Sequence, residues 1–190
     1  MIRYAIIFLI LSGLLFSLLT ADGEKNNQGQ TSESLVEGVQ APTFVLPDMN
    51  NNYVFLSDFC GEKLRKPYKN NIRHVVVVSF FASWCVPCRA EIPHLNNLYQ
   101  ELKNEDIKFY LVNVGEDKEK VNEFLQQVPS DIPILIDRYK SVSDKFNVTS
   151  LPRLVVIDKF GAIRKYEVGF NEEPEYEFKL KNLLIELLNI

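Results

Sequence analysis

The sequence predicts a three-layer α/β sandwich, and three observations lead there. From residue 39 onward, β-branched and aromatic runs alternate with stretches of helical periodicity. The run HVVVVSFFA, residues 74–82, is apolar at successive positions, as a central strand covered on both faces must be. The order strand, helix, strand, helix, then a hairpin and a terminal helix implies a mixed sheet with helices packed against it. With 190 residues, 46% of them hydrophobic, the chain can bury one substantial core and still carry a tail.

The tail comes first. Arg3 is followed by a run without charge from Tyr4 to Thr20, which reads as a secretory signal or, if uncleaved, as an anchor. A spanning helix needs about 20 apolar residues, so the run is short for an anchor. Residues 1–21 are therefore expected to be a signal peptide or membrane anchor, 22–38 a flexible polar linker too poor in apolar residues to fold, and 39–190 the folded domain.

Within the domain, Phe44–Leu46 and Tyr53–Leu56 are short extended runs joined by Pro and Asn residues, an opening β-hairpin. CGEKLRKPYKNNIR, residues 60–73, is basic and without an apolar face, hence a surface loop or short helix. After the central strand, VPCRAEIPHLNNLYQELKNE puts Ile92, Leu95, Leu98 or Tyr99, and Leu102 on one helical stripe. IKFYLVNVG is a second strand, DKEKVNEFLQQV a second helix, PILID an extended piece and SVSDKFNV a short helix. RLVVID and IRKYEVGF, joined by KFGA, form an antiparallel hairpin, and the chain closes with a helix that has Pro174 near its first turn.

The chemistry lies in SFFASWCVPCRAEIPHL. The strand ends near Ala82 and the helix begins near Val86, so Cys85 sits at a helix N-terminus and Cys88 one turn inside. The unpaired N–H groups and the dipole at that end favour an anion, so the Cys85 thiol should ionise more easily than a free one. Pro87 is tolerated there because a first-turn residue has no N–H bond to lose. The arrangement suits thiol–disulfide exchange, with Cys85 attacking a disulfide and Cys88 resolving the mixed disulfide. A purely structural bridge closing so short a loop would remove little unfolded-state entropy. Zinc needs four ligands, and one Cys-x-x-Cys supplies two; Cys60, His74 and His94 are the other candidates, but no second Cys-x-x-Cys or His-x-x-x-His accompanies them, so no metal site is expected. His94 is expected on the surface. A net charge of −4 and a pI near 5.3 remove the electrostatic motive for binding nucleic acid.

From these residues the chain resembles the thioredoxin-fold TlpA/ResA-like thiol-disulfide oxidoreductases. The carriers are SFFASWCVPCRAEIPHL, LVNVGED, DKFNVTSLPRLVVIDKFGAI, and the leader APTFVLPDMNNNYVFLSDFCG in the place of that group's N-terminal hairpin. The resemblance implies a thioredoxin-like sandwich with an N-terminal β-hairpin extension and catalysis by Cys85 and Cys88. It also implies a substrate surface that includes Trp84, Pro87, Leu151 and the cis-proline Pro152, and a helix bent at Pro93. Glu116, at the end of a strand, resembles the glutamate such proteins keep near the cysteines and is expected to exchange protons with Cys88; the plainer reading is a solvated carboxylate at a helix start. Ser79 stands where many thioredoxins carry an aspartate, six residues before the first cysteine, which gives Glu116 more weight. Cys60, left over once the pair forms, is expected to be a buried free thiol.

The expected function is an exported thiol-disulfide oxidoreductase of the periplasm or cell envelope, a monomer without a bound cofactor, acting on protein disulfides or dithiols and expected to be a reductase of protein disulfides. The resemblance suggests cytochrome c maturation or envelope thiol maintenance, and an upstream electron donor such as a membrane thiol reductase. It contacts membrane only if the N-terminal segment is retained. Two alternatives stand beside this: a non-catalytic binding module on the same fold, which has no need of an intact dithiol, and a peroxiredoxin-like antioxidant, which needs a Thr-x-x-Cys context that residues 79–88 lack.

Overall fold

The computed structural model describes residues 37–67 and 71–190. The proposed leader and nearly all of the linker, residues 1–36, lie outside the described residues. Among the described residues, twelve elements follow in the order the sequence implies. β1 (Val45–Pro47) and β2 (Tyr53–Phe55) form an antiparallel hairpin, and a single 3-10 turn over Leu56–Asp58 takes up the end of the second expected run. β3 (Val75–Phe81), α1 (Val86–Leu102), β4 (Ile107–Val114), α2 (Lys118–Gln127), β5 (Ile134–Asp137), α3 (Ser141–Lys145), β6 (Arg153–Ile157), β7 (Ile163–Val168) and α4 (Tyr176–Leu188) complete the domain. Pro174 lies directly before the N-cap Glu175 of α4, near its first turn as expected.

The five-stranded sheet runs β5-β4-β3-β6-β7, with β3, β4 and β5 parallel and β6 and β7 antiparallel. Every residue of β3 is buried. Its alternation splits the core in two: Val75, Val77 and Phe81 join a cluster with Ile92, Leu95 and Leu98 of α1, Phe124 of α2 and Leu184 of α4. Val76, Val78 and Phe80 pack on the other face with Phe44 and Leu46 of the hairpin segment and with Val142 and Phe146. The hairpin also touches the outer strand β5 through a bridge between Asp48 and Leu135, covering an edge that would otherwise be open. Ser79, also on β3, is the polar exception in a buried strand.

The chain enters this body beside β7. The Gly38 N–H donates to the Ile163 carbonyl at 2.7 Å and the Ile163 N–H to the Val39 carbonyl at 2.8 Å, while Gln40 bridges Ala162. Among the described residues, no helix is long and apolar enough to cross a membrane.

Candidate active site

The site forms where β3 hands over to α1. After Phe81 the chain turns, the Cys85 N–H donating to the Ala82 carbonyl at 3.1 Å, and Cys85 becomes the N-cap of α1 with extended backbone. Its sulfur accepts the Cys88 N–H at 3.3 Å, as an N-cap side chain accepts from the third helical residue. Val86 and Pro87 occupy the first helical positions. Cys85 and Cys88 are joined as a disulfide, 3% and 0% exposed. Their flanks are the reverse: Trp84 is 71% and Val86 75% exposed, a bare apolar rim beside a covered sulfur pair.

Sheet register brings in the second segment. Phe80 lies opposite Arg153, so the next residue back along β6, Pro152, adjoins the end of β3 from which the cysteine loop departs. The Leu151–Pro152 bond is cis; Pro152 is buried, and Leu151 is half-buried against the core. The Pro152 carbonyl accepts the Gly169 N–H at 2.9 Å.

Glu116 follows β4 across Gly115, which adopts a φ of 78° at the tight turn. It is not a solvated carboxylate. It is buried and accepts three hydrogen bonds: from the Ser83 N–H at 2.7 Å, the Ser83 hydroxyl at 2.5 Å and the Asn113 amide at 2.8 Å. Burial raises its pKa, but the Ser83 hydroxyl, the Asn113 amide, the Ser83 N–H and the charge of Lys120 together outweigh burial and hold it below the ordinary value. A carboxylate so well satisfied as an anion fixes Ser83; it does not suit proton exchange near neutrality, the role the sequence suggested. Arg89 closes the third side of Ser83, donating to its carbonyl at 3.0 Å and to Gln127 at 2.9 Å.

A second carboxyl, Glu91, which sequence reasoning passed over, sits in the opposite kind of environment. It lies three residues after Cys88 on the same helix, on its buried side, and is 1% exposed. Ser79 donates to it at 2.7 Å and the Tyr176 hydroxyl at 3.3 Å. Burial pushes its pKa up to about 7, against the lowering pull of the Ser79 and Tyr176 bonds. The sequence did hold a signal: position 91 falls beside Ile92, Leu95 and Leu98 on the stripe that faces the core, and an acid on such a stripe marks an unusual environment.

The other expectations resolve as follows. His94 is half-buried, not a surface residue: its Nδ1 lies 2.7 Å from Glu177, and its ring meets Phe170 and Tyr176, tying α1 to α4. Cys60 is a buried free thiol in the hairpin-side cluster, on the opposite sheet face from Cys85 and Cys88, and burial followed by the charge of Asp158 pushes its pKa up to about 12. His74, too, is buried, just ahead of β3. Among the described residues, no group of three or more His, Cys, Asp or Glu side chains converges as metal ligands would.

Comparison with known proteins bears on this geometry. The Redoxin family profile matches residues 36–183. The thiol-disulfide oxidoreductase ResA of Bacillus subtilis is 32% identical over 162 residues, 84% of each chain. ResA of Geobacillus kaustophilus is 30% identical over 181 residues, covering 95% of this chain and 94% of its own. Among solved structures, a candidate thiol:disulfide interchange protein DsbE from Chlorobium tepidum superposes with a TM-score of 0.68 at 29% identity, over 82% of this chain and 99% of that one.

Proposed function

Since the chain belongs to the Redoxin family and is a thiol-disulfide oxidoreductase of the ResA kind, we propose that Cys85 and Cys88 are its working dithiol and that it reduces protein disulfides. One observation carries the assignment of the pair: the two sulfurs are bonded at the N-terminus of α1, with the Cys88 N–H aimed at Cys85.

In the reduced protein, that N–H and the helix terminus stabilise a Cys85 thiolate. The thiolate attacks one sulfur of a substrate disulfide; a Cys85–substrate disulfide forms, and the substrate's other sulfur leaves as a thiolate and takes up a proton. Cys88 gives its proton to Glu91 and attacks Cys85 sulfur, the second substrate thiolate departs, and Cys85–Cys88 is left as the disulfide. Two electrons have passed to the substrate. An upstream dithiol donor restores them by the same exchange in reverse, and a membrane thiol reductase would fit that part.

Glu116 acts as a positioning residue in this scheme. By holding Ser83 from two sides it fixes the loop that presents Trp84 and Cys85. Trp84 and Val86 offer apolar contact to a substrate chain, while Pro87 shapes the helix start, and Leu151 with Pro152 borders the pair on the other side. Neither alternative weighed from the sequence, a binding module or a peroxide reductase, accounts for the bonded pair as directly. The uncharged run at residues 4–20 supports an extracytoplasmic location, with residues 1–21 as leader or anchor and the following segment to residue 38 as tether.

The test is catalysis of thiol-dependent reduction of a protein disulfide. Wild type should accelerate it, and Cys85→Ser should abolish the acceleration. Full activity in that variant would refute the assignment.

A further inference from the structure

Arg153 directly follows the cis-proline and is 4% exposed. Among the described buried residues it is the one lysine or arginine. A guanidinium stays charged at every pH a protein meets, and it brings five N–H donors with it. The fold satisfies little of that demand. Nη2 donates to the Ser150 hydroxyl at 3.3 Å, a long bond to a neutral acceptor, and Nε is buried with no hydrogen-bond partner. The guanidinium carbon stands 4.6 Å from the centre of the Tyr166 ring, whose face is its other contact.

Buried acids of this chain are provided for. Asp158 meets Arg164 at 2.7 Å, Asp137 accepts the Val142 and Ser143 N–H groups, and Glu116 has its three donors. Asp58 shows the fullest match: Arg65 gives it Nε at 2.6 Å and Nη2 at 3.0 Å, one edge of the guanidinium against both carboxylate oxygens. Arg153 has the same two nitrogens, and among the described residues no carboxylate is ion-paired with it. A buried charge without its counterpart is costly to fold, and a buried donor without an acceptor calls for an explanation.

Its place supplies one. Register sets Arg153 opposite Phe80 of β3 on one side and Val168 of β7 on the other, the last paired row of β6, at the end of the sheet where β3 turns toward Cys85. Opposed residues share a face, so the side chain runs with Phe80 against the loop that leads into Leu151 and Pro152. That loop is thin cover: Asn147, Thr149 and Ser150 are exposed, which leaves the guanidinium one side chain below the surface. Val168, across the row on the outermost strand, is 59% exposed. Glu167 cannot serve as counter-charge, since it lies opposite Leu154 on the other face and pairs with Lys165 at 3.1 Å. The group is also held ready. The Tyr166 hydroxyl donates to the Phe146 carbonyl at 2.6 Å, fixing the ring on which the guanidinium rests.

We infer that Arg153 is a specificity residue, which receives an Asp or Glu side chain of the substrate protein close in sequence to the cysteine that Cys85 attacks. The acid meets Nε and Nη2 as Asp58 meets Arg65, and the Ser150 hydroxyl gives way to it. The inference rests on the reading that the dithiol reduces protein disulfides, and it adds which cysteines are preferred. A substrate chain lying along Leu151 and Pro152 passes directly over the residue that follows them. Because the charge is buried and its neighbours are neutral, the contact discriminates between an acid and its amide more sharply than an exposed arginine could.

The test uses peptides with one cysteine held as a mixed disulfide with mercaptoethanol. They are otherwise uncharged and carry Glu or Gln in turn at each nearby position on either side. Rates are divided by those with dithiothreitol alone, which removes the effect of the acid on the disulfide itself. At positions on one side of the cysteine, wild type should show a KM for the Glu peptide at least about tenfold below that for its Gln partner, a gap that narrows in added salt. Arg153→Gln should bring the Glu peptide to the level of the Gln peptide, and Arg153→Lys, charged but without the fork, should keep only part of the gap. Equal KM values at every position in the wild type overturn the inference without any variant having to fold. A gap that survives in Arg153→Gln, even in a slower enzyme, makes Arg153 a brace for the loop and overturns it too. Glutathione disulfide has carboxylates but no chain to lie along Leu151, so a dependence on Arg153 as large as the peptide's would overturn the assignment to protein substrates. Binding of the same peptides with Ser in place of Cys, read on the oxidised protein from Trp84, the chain's single tryptophan, reports the site without the chemistry. A Glu preference there in a protein that reduces no disulfide upholds the site and refutes the function; reduction without the preference does the reverse.

Discussion

Replacing Glu91 with Gln should make the protein more stable at neutral pH, and the size of the gain follows from where the carboxyl sits. Buried at 1% exposure, it has its pKa pushed up to about 7 from an ordinary 4.5. The folded state therefore holds a proton that the unfolded chain releases. For a group whose folded pKa is raised, the contribution to stability is complete below about pH 4.5 and is lost as pH rises through 7. A shift of this size, at about 1.4 kcal/mol per pKa unit, corresponds to roughly 3 kcal/mol. Gln keeps the shape and can still meet the Ser79 and Tyr176 hydroxyls, yet has nothing to ionise. The assay is guanidinium unfolding of the oxidised forms of wild type and Glu91→Gln between pH 4.5 and 8, oxidised so that Cys85 and Cys88 do not titrate. The difference between the two isolates position 91 from every other group in the protein. It should open by about 3 kcal/mol in favour of the variant as pH rises. A difference that stays flat across the range would refute the raised pKa and, with it, the case for Glu91 as the proton partner of Cys88.

Three further outcomes follow from the same geometry. Cys88→Ser should stop the reaction at the mixed disulfide, visible by mass spectrometry as substrate covalently held on Cys85, and release of free substrate at the normal rate would exclude Cys88 as the resolving thiol. Glu116→Ala should cost about 2–3 kcal/mol at neutral pH, because the Ser83 N–H and the Asn113 amide lose a charged acceptor. As a depressed carboxylate, Glu116 stabilises the fold above pH 4.5 and loses that effect as pH falls through its lowered pKa, so unfolding of wild type and variant should converge in acid. Cys60, with its pKa near 12, should resist iodoacetamide at pH 8 in the folded, reduced protein while Cys85 reacts, and should label once the protein is denatured.

The elements that could be read from sequence are those whose signals are local. Unbroken β-branched character marked β3, the helical stripe from Ile92 to Leu102 marked α1, and their junction placed Cys85 at a helix terminus. The proline in SLPR stands cis beside the end of β3, as the resemblance implied. What escaped depends on residues distant in the chain. Glu116 was found at its strand end, but its charge state is set by Ser83, 33 residues away, which no spacing rule reaches. His94 reads as a surface residue until α4, more than 80 residues later, folds over it with Glu177 and Tyr176. Glu91 reads as solvated by habit, since glutamate on a helix usually is; only its place on the apolar stripe says otherwise.

Ser79 shows how these pieces fit. Read alone, a serine in a buried strand six residues before Cys85 leaves the inner side of the dithiol without an acid, and it moves attention to the next carboxyl along the sheet, Glu116. In the folded protein the acid is supplied from the facing helix, and the Ser79 hydroxyl is the donor that receives it. The two carboxylates then divide the work by environment, as paired acids in active sites commonly do. Glu116, among three donors at the sheet's end, is kept charged and holds the loop in place. Glu91, among apolar side chains with two hydroxyls, is kept near its protonation midpoint at neutral pH, as the exchange proposed with Cys88 requires. If so, exchanging the environments should exchange the roles. Ser79→Ala removes a bond that favours the charged form, so it should raise the Glu91 pKa further and shift the pH dependence of substrate release upward, while the Glu116-dependent acid unfolding stays where it is. A release profile that does not move in Ser79→Ala would mean that Glu91 is not the group that titrates.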